Sequence, residues 1–262
     1  MAGSPGRKTP VVIAVLAAVG GLFVALPLAA LLIRAPWSHL TDELSSAGAW
    51  TALRLSIVVS LSAAGLSLIL GAPVAWVLAR SAIPARSVLR AVVILPLVLP
   101  PVVGGIGLLA ALGRSGIVGR SLDDIGIQLT FTTWGAIVAT TFLSIPLVIL
   151  AVEAGLRSLD PRFEQAASAM GASRGYVLRR VTLPLLRPQL AAGLVLAWAR
   201  ALGEFGATIT FAGNLAGRTQ TLPLAVYQTR QTDPGAAILI SLLLVALSLI
   251  VLVTMRDRIF AR

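Results

Sequence analysis

Apolar residues run along this chain in long blocks free of Asp, Glu, Lys and Arg. The blocks are Val11–Ile33, Leu55–Ala79, Ala91–Gly113, Ile125–Val152 and Pro234–Met255. A sixth, Pro188–Ala212, is interrupted only by Arg200 and Glu204. About 20 apolar residues suffice to cross a bilayer, so each block predicts a spanning helix. The fourth is longer than a crossing needs, and its helix is expected to start near Trp134. Together they predict an all-α, polytopic membrane protein of six transmembrane helices. The whole of 1–262 is expected to be one transmembrane domain.

Composition agrees. The chain is 57% hydrophobic and 12% charged, with a mean hydropathy of +0.94, against about 25% charged for a soluble domain. Its net charge of +11 gains meaning from placement. Arg7, Lys8, Arg80, Arg86, Arg90, Arg157, Arg162, Arg174, Arg179, Arg180, Arg187, Arg256, Arg258 and Arg262 fall between blocks on one side. Arg34, Arg114, Arg120, Arg218 and Arg230 fall on the other. The positive-inside rule then puts the N- and C-termini in the cytoplasm, and the charge reports orientation rather than nucleic-acid binding. Arg7-Lys8 before an apolar run resembles a signal peptide, but the run is long for one, and the charge map needs it as an uncleaved first span.

The third block, with Pro96, Pro100, Pro101, Gly104, Gly105 and Gly107, is the most broken. Ordinary proline use in membrane helices and a flexible wall of a pathway both fit it.

One long polar and basic segment interrupts the apolar pattern, at about 157–187. Asp160-Pro161 suits a helix start, with Asp as cap and Pro in the first turn. Phe163, Ala167 and Met170 share one face. Gly171 suits the left-handed residue that ends a helix. Ser173 can cap a second helix through Tyr176, Val177, Arg179, Arg180 and Val181, and Leu183-Pro184 leads back to the membrane. Two short helices at an angle, presented to a partner, are one reading; an amphipathic helix lying on the headgroups is the other.

Polar groups inside the spans are costly and normally face protein or water. Arg200 and Glu204, four apart near mid-depth, form either a structural ion pair or part of a pathway for an anion. Ala199 and Gly203 make a small-xxx-small pair that favours close helix packing. The stretch Gly213–Thr221, with Asn214, Arg218, Thr219 and Gln220, forms either an anion-friendly turn or a plain exposed hairpin. Leu222–Tyr227 is apolar but too short to cross, which suits a re-entrant or interfacial outer gate.

Several chemistries are excluded. The only lysine is Lys8, outside any P-loop spacing, so the chain binds no ATP in the Walker manner. Gly171-Ala172-Ser173-Arg174-Gly175 matches G-x-S-x-G, yet the only histidine, His39, belongs to the opposite side. There is no cysteine. No catalytic residue and no metal site is expected, and the Asp42-Glu43 and Asp123-Asp124 pairs read as solvated loop charges.

The polar segment resembles the "EAA" loop of bacterial ABC-importer permeases: E-A-A, three residues, Gly, nine residues, Ile-x-Leu-Pro. Gln165-Ala166-Ala167, Gly171 and Val181-Thr182-Leu183-Pro184 fall at that spacing, with Gln165 in the Glu place and Glu164 one position earlier. RALGEFGATITFAGNLAGRTQTLPLAVY, from Arg200 to Tyr227, is similar to the molybdate branch of these permeases, and the related sulfate permeases share its early part. With PLVLPP at Pro96–Pro101, the resemblance covers most of the chain from the second span onward. It implies a type I ABC importer permease fold in the bacterial plasma membrane. It implies a homodimer, one ATPase subunit (holding ATP and Mg) docked on each cytoplasmic loop, and an extracytoplasmic oxyanion-binding protein. The coupling residues would be Glu164, Gln165, Ala166, Ala167, Gly171, Ala172, Leu183 and Pro184. The pathway or gate would use Arg200, Glu204, Asn214, Arg218, Thr219 and Gln220. Tungstate and sulfate remain alternative substrates. A passive channel has no need of the loop, and an intramembrane enzyme lacks its paired aspartates, histidine base or metal ligands.

Overall fold

The computed structural model describes residues 10–260; Arg7, Lys8 and Arg262 lie outside them. Every regular element among the described residues is helical. Five helices are long and apolar enough to cross a bilayer, and a sixth crossing exists if one bent pair is counted as a single span.

The central helix is α7, Thr133–Ser158. It starts where expected, capped by Thr132, whose hydroxyl accepts from the Gly135 N–H at 3.1 Å. Around it pack α3 (Ala47–Arg80), α4 (Arg86–Val98), α5 (Pro101–Leu112) and α10 (Leu183–Leu202). Lipid offers no hydrophobic reward for bringing helices together, so close approach through small residues has to supply the contact. The buried face of α3 is built that way: Ala49, Ala52, Ser56, Ser60, Ala63, Ala64, Ser67, Gly71 and Ala75 repeat every three or four residues. Beyond them Leu78, Val148, Ile149, Val152, Leu156 and Leu186 close the largest apolar cluster.

Both α3 and α7 run in the same direction. Arg80 at the end of α3 meets Glu164, just beyond the end of α7. At the other end, Ser56 of α3 accepts from the Leu222 N–H at 2.7 Å, and Thr133 of α7 donates to the Arg218 carbonyl at 2.8 Å. The chain between them therefore has to cross back. It does so through α4 and α5, which meet at 117° about Leu99-Pro100. The expected kinked helix is in fact two helices. Leu99 precedes a proline and Pro100 precedes Pro101, and each is driven out of the helical region, with ψ of 139° and 131°.

The fifth crossing also departs from its apolar block. Its helix begins earlier, at Arg174, and runs without interruption to Leu202 through a π-helical turn at Leu178–Thr182. Pro184 follows that turn. Its missing N–H and its ring deny the Arg180 carbonyl a normal partner, and the widened turn relieves the clash. The helix stops at Leu202, and α11 (Gly206–Phe211) resumes after a break. Next come α12, Leu222–Thr229, and α13, Pro234–Phe260. Asp233 caps α13 by accepting from Gly235 and Ala236 at 2.9 and 3.0 Å. Ile240 of α13 packs on Ala52 and Leu222, so α13 starts at the far end from Arg80. The last turns of α1 (Val11–Arg34) share a groove with the first half of α13, which makes the two antiparallel. Two short helices, α2 (Leu40–Ser45) and α6 (Gly119–Asp124), lie in connections.

The two broken crossings touch at their breaks. A Cβ on Gly206 would lie 2.8 Å from Pro101 Cβ, and one on Gly105 would lie 2.7 Å from Thr210 Cβ and 3.1 Å from Ala207 Cα. Gly107, one turn-half away, has open space. Gly105→Ala is therefore expected to cost about 1–3 kcal/mol by overpacking, while Gly107→Ala is neutral or slightly stabilising by helix propensity, within about 1 kcal/mol. Thermal unfolding of the two purified variants in one detergent checks the difference.

Candidate functional site

Two polar constellations stand out, one at the loop end of the bundle and one at the helix break.

The loop is a compact knuckle. Asp160 Oδ1 accepts from the Arg162 N–H at 2.9 Å and Pro161 sits in the first turn, so α8 (Pro161–Ala169) starts as the sequence predicts. It ends as predicted too. Gly171 has φ +84°, its N–H donates to Ser168, and the Ala172 N–H reaches back to Ala167. That is the paired ending that satisfies the last carbonyls of a helix with a left-handed glycine. Ser173 then caps α9, Arg174–Val177, by accepting from the Tyr176 N–H at 3.3 Å.

Glu164 fastens the knuckle to the bundle. Its carboxylate accepts from Thr182 Oγ1 at 2.7 Å and pairs with Arg80 at 3.4 Å. The neighbouring Gln165 is exposed, as is Ala166. On the predicted apolar face of α8 only Ala167 is buried; Phe163 is 56% exposed and Met170 83%. Tyr176 adds another open ring, at 57%. The second arm of the knuckle is not a separate helix: it is the first part of the crossing that contains Leu183 and Pro184.

At the other site, Arg200 Nη1 donates to Glu204 Oε2 at 2.6 Å. The pairing is as expected but the geometry is different, because the helix ends between the two residues. Glu204 is 2% exposed at its side chain, and its second oxygen accepts from the Ala207 N–H at 2.9 Å. A single carboxylate thus neutralises Arg200 and caps the first turn of α11. Gly203 sits in the break with open space beside it, so the Ala199–Gly203 pair makes no close contact there. Phe205, also in the break, stacks on Tyr227 of α12 with centroids 5.1 Å apart.

The remaining predicted pathway residues gather in the turn after α11, apart from Arg200. Thr219 is wholly buried; its hydroxyl accepts from the Leu215 N–H at 2.8 Å and donates to the Gly213 carbonyl. Asn214 donates to Gln228 at 2.8 Å and leaves its carbonyl oxygen buried without a partner. Gln220 is half-buried, and Arg218 is exposed with its backbone carbonyl held by Thr133. Gly213 and Gly217 both have positive φ.

One functional-looking group escaped the sequence reading. Glu153 lies in α7, just past the charge-free block, and is 2% exposed at its side chain. It pairs with Arg157 at 2.6 Å and Arg90 at 3.4 Å. The Glu153–Arg157 spacing of four was visible in the sequence; Arg90 was not placeable. Among the described residues no cluster of His, Asp or Glu could hold a metal.

An all-helical bundle of up to six crossings, one of them a bent pair, with a fastened loop at one end, defines a polytopic membrane protein. Residues 67–261 match the family model described as binding-protein-dependent transport system inner membrane component. The chain belongs to that family, and it is a multi-pass inner-membrane protein. It is 47% identical over 235 residues to the molybdenum transport system permease protein ModB of Mycobacterium tuberculosis, covering 90% of this chain and 89% of that one. It is 35% identical over 235 residues to the sulfate transport system permease protein CysT of Salmonella typhimurium, covering 88% and 85%. The fold matches a bacterial ABC transporter involved in the import of the acidic polysaccharide alginate, with a TM-score of 0.73, 21% identity, and coverage of 94% of this chain and 93% of that one.

Glu164→Ala should cost about 1–3 kcal/mol, because it leaves the buried Thr182 hydroxyl only the 3.5 Å contact to the Val177 carbonyl and frees Arg80. The loss is expected locally, as faster backbone hydrogen exchange over 161–173 with the exchange of α7 unchanged.

Proposed function

We propose that this chain is the membrane-spanning subunit of an ATP-driven importer for a small tetrahedral oxyanion, molybdate first. The knuckle carries the reading. Its spacing fits the coupling loop of ABC-importer permeases, it is locked to the bundle through Glu164, and it offers Phe163, Met170 and Tyr176 to a partner. The similarity to proteins named for molybdenum transport supports the substrate, and the weaker similarity to a sulfate permease supports the oxyanion class.

In this reading the knuckle end and both chain termini face the cytoplasm, and two copies form the pathway. A separate ATPase binds ATP and Mg and docks on each knuckle, through Glu164, Gln165, Ala166, Ala167, Gly171, Ala172, Leu183 and Pro184. An extracytoplasmic binding protein delivers the oxyanion at the opposite end, near Asn214, Arg218, Thr219 and Gln220. The whole of 1–262 acts as one transmembrane domain. ATP-driven closure of the partners moves the knuckles, and the crossings rock between outward and inward openings. Arg200 supplies positive potential to the route of the anion, and Glu204 moderates it so that substrate is not trapped.

Three outcomes test this. Gly171→Val forces a β-branched residue into a left-handed conformation, where the strain is about 1–2 kcal/mol, with nothing else crowding the site. It is expected to abolish labelled molybdate uptake in whole cells while membrane abundance and partner ATPase expression stay normal; wild-type uptake would refute the coupling role. Arg200→Gln is expected to lower uptake at least about tenfold, the effect of roughly 1.4 kcal/mol on the rate, at unchanged abundance. Excess sulfate that competes as well as excess molybdate would reassign the substrate.

A further inference from the structure

Arg86, Arg90 and Arg157 line a cavity of about 600 Å³ at the knuckle end of the bundle. No carboxylate lines it. Glu153 lies behind it and pairs with Arg90 and Arg157, whereas Arg86 donates to the Ala79 carbonyl at 3.5 Å. One carboxylate against three guanidiniums leaves two positive charges at the cavity with no protein counterion. The contact from Arg90 to Glu153 Oε2 is ionic, without a hydrogen bond, so the Arg90 fork keeps donors to spare. The first turn of α4 adds to this: Ala85, before it, offers no side-chain cap, and Arg86 and Ser87 of that turn both line the cavity. Beyond the arginines the wall turns apolar, through Ala91, Ile94, Leu95 and Val98.

We propose that Arg86, Arg90 and Arg157 form a binding site for one phosphate-class oxyanion, presented either by the headgroup of an anionic phospholipid or by a free tetrahedral ion. Guanidinium forks match such oxygens in geometry as well as charge. A basic mouth beside an apolar wall also suits a phosphodiester whose acyl chains run along Leu95 and Val98. Neither the knuckle nor the Arg200–Glu204 pair takes part. The site joins the start of α4 to the end of α7, so an occupant holds one half of the bent crossing against the central helix.

The test uses the full chain, extracted in mild detergent with the subunits that accompany it. Native mass spectrometry reads retained phosphatidylglycerol. Equilibrium dialysis of the delipidated protein reads binding of radiolabelled inorganic phosphate. Arg86→Gln is expected to lower the occupied signal about tenfold, as loss of one charge-assisted contact does. Glu153→Gln is expected to raise it, because the cavity then has three uncompensated cations; a purely structural role for the cluster predicts a fall. Loss confined to the lipid readout identifies a headgroup site, and loss confined to phosphate identifies a free-ion site. Binding by neither probe in the wild type, equal binding in Arg86→Gln, or a fall in Glu153→Gln overturns the proposal. If Arg86→Gln does not accumulate, Glu153→Gln decides alone: a rise supports the site and its absence overturns it.

Discussion

A peptide group released from its helix has no water to turn to inside a bilayer, and leaving it unpaired costs several kcal/mol. Most of the distinctive geometry here answers that constraint. The break after Leu202 frees the first amides of α11, and Glu204 reaches forward to the Ala207 N–H. The same carboxylate is then available to Arg200, so a charge that would be expensive alone sits in a closed set of partners. The Leu99-Pro100 break is handled differently: prolines remove donors that would otherwise need partners. The two breaks are also set against each other, Pro101 on Gly206 and Gly105 on Ala207, while Pro100 and Gly203 stay exposed.

Packing elsewhere follows from the absence of a hydrophobic drive between helices. Alanine, glycine and serine line the α3 face toward α7, and hydroxyls tie elements at both ends. Trp198 donates to Ser60 at 3.0 Å, Ser56 accepts from the Leu222 N–H, and Thr182 donates a hydrogen bond to Glu164. These are side chain contacts between elements far apart in sequence, and they fix how the crossings are arranged around α7.

Much of this was legible from the residues. Charge-free blocks locate α1, α3, α7 and α13, and Asp160-Pro161, Gly171 and Ser173 mark the knuckle to the residue, because caps and left-handed glycines are local physics. Breaks were harder. Leu99-Pro100-Pro101 reads equally as a kink or a sharp turn, and only the parallel run of α3 and α7 shows how far the chain must swing. The end of α10 at Leu202 carries no proline, and the two glycines flanking the break are unremarkable in a membrane helix. Glu153 was missed because it falls one residue past an apolar block, and Arg90, half of its significance, is brought to it by the packing of α4 on α7. The apolar side of α8 was foreseen, but not that Phe163 and Met170 would stay open to solvent.

The second arm of the knuckle and the fifth crossing are a single rod from Arg174 to Leu202. A torque applied to Tyr176 therefore has a helical path, through the widened turn at Leu178–Thr182, as far as Leu202. At Gly203 the helix ends, and beyond it the Glu204 carboxylate and the Phe205–Tyr227 rings help tie on the next segments. Mechanically, the turn after α11 is connected to the knuckle arm by a clutch instead of a weld.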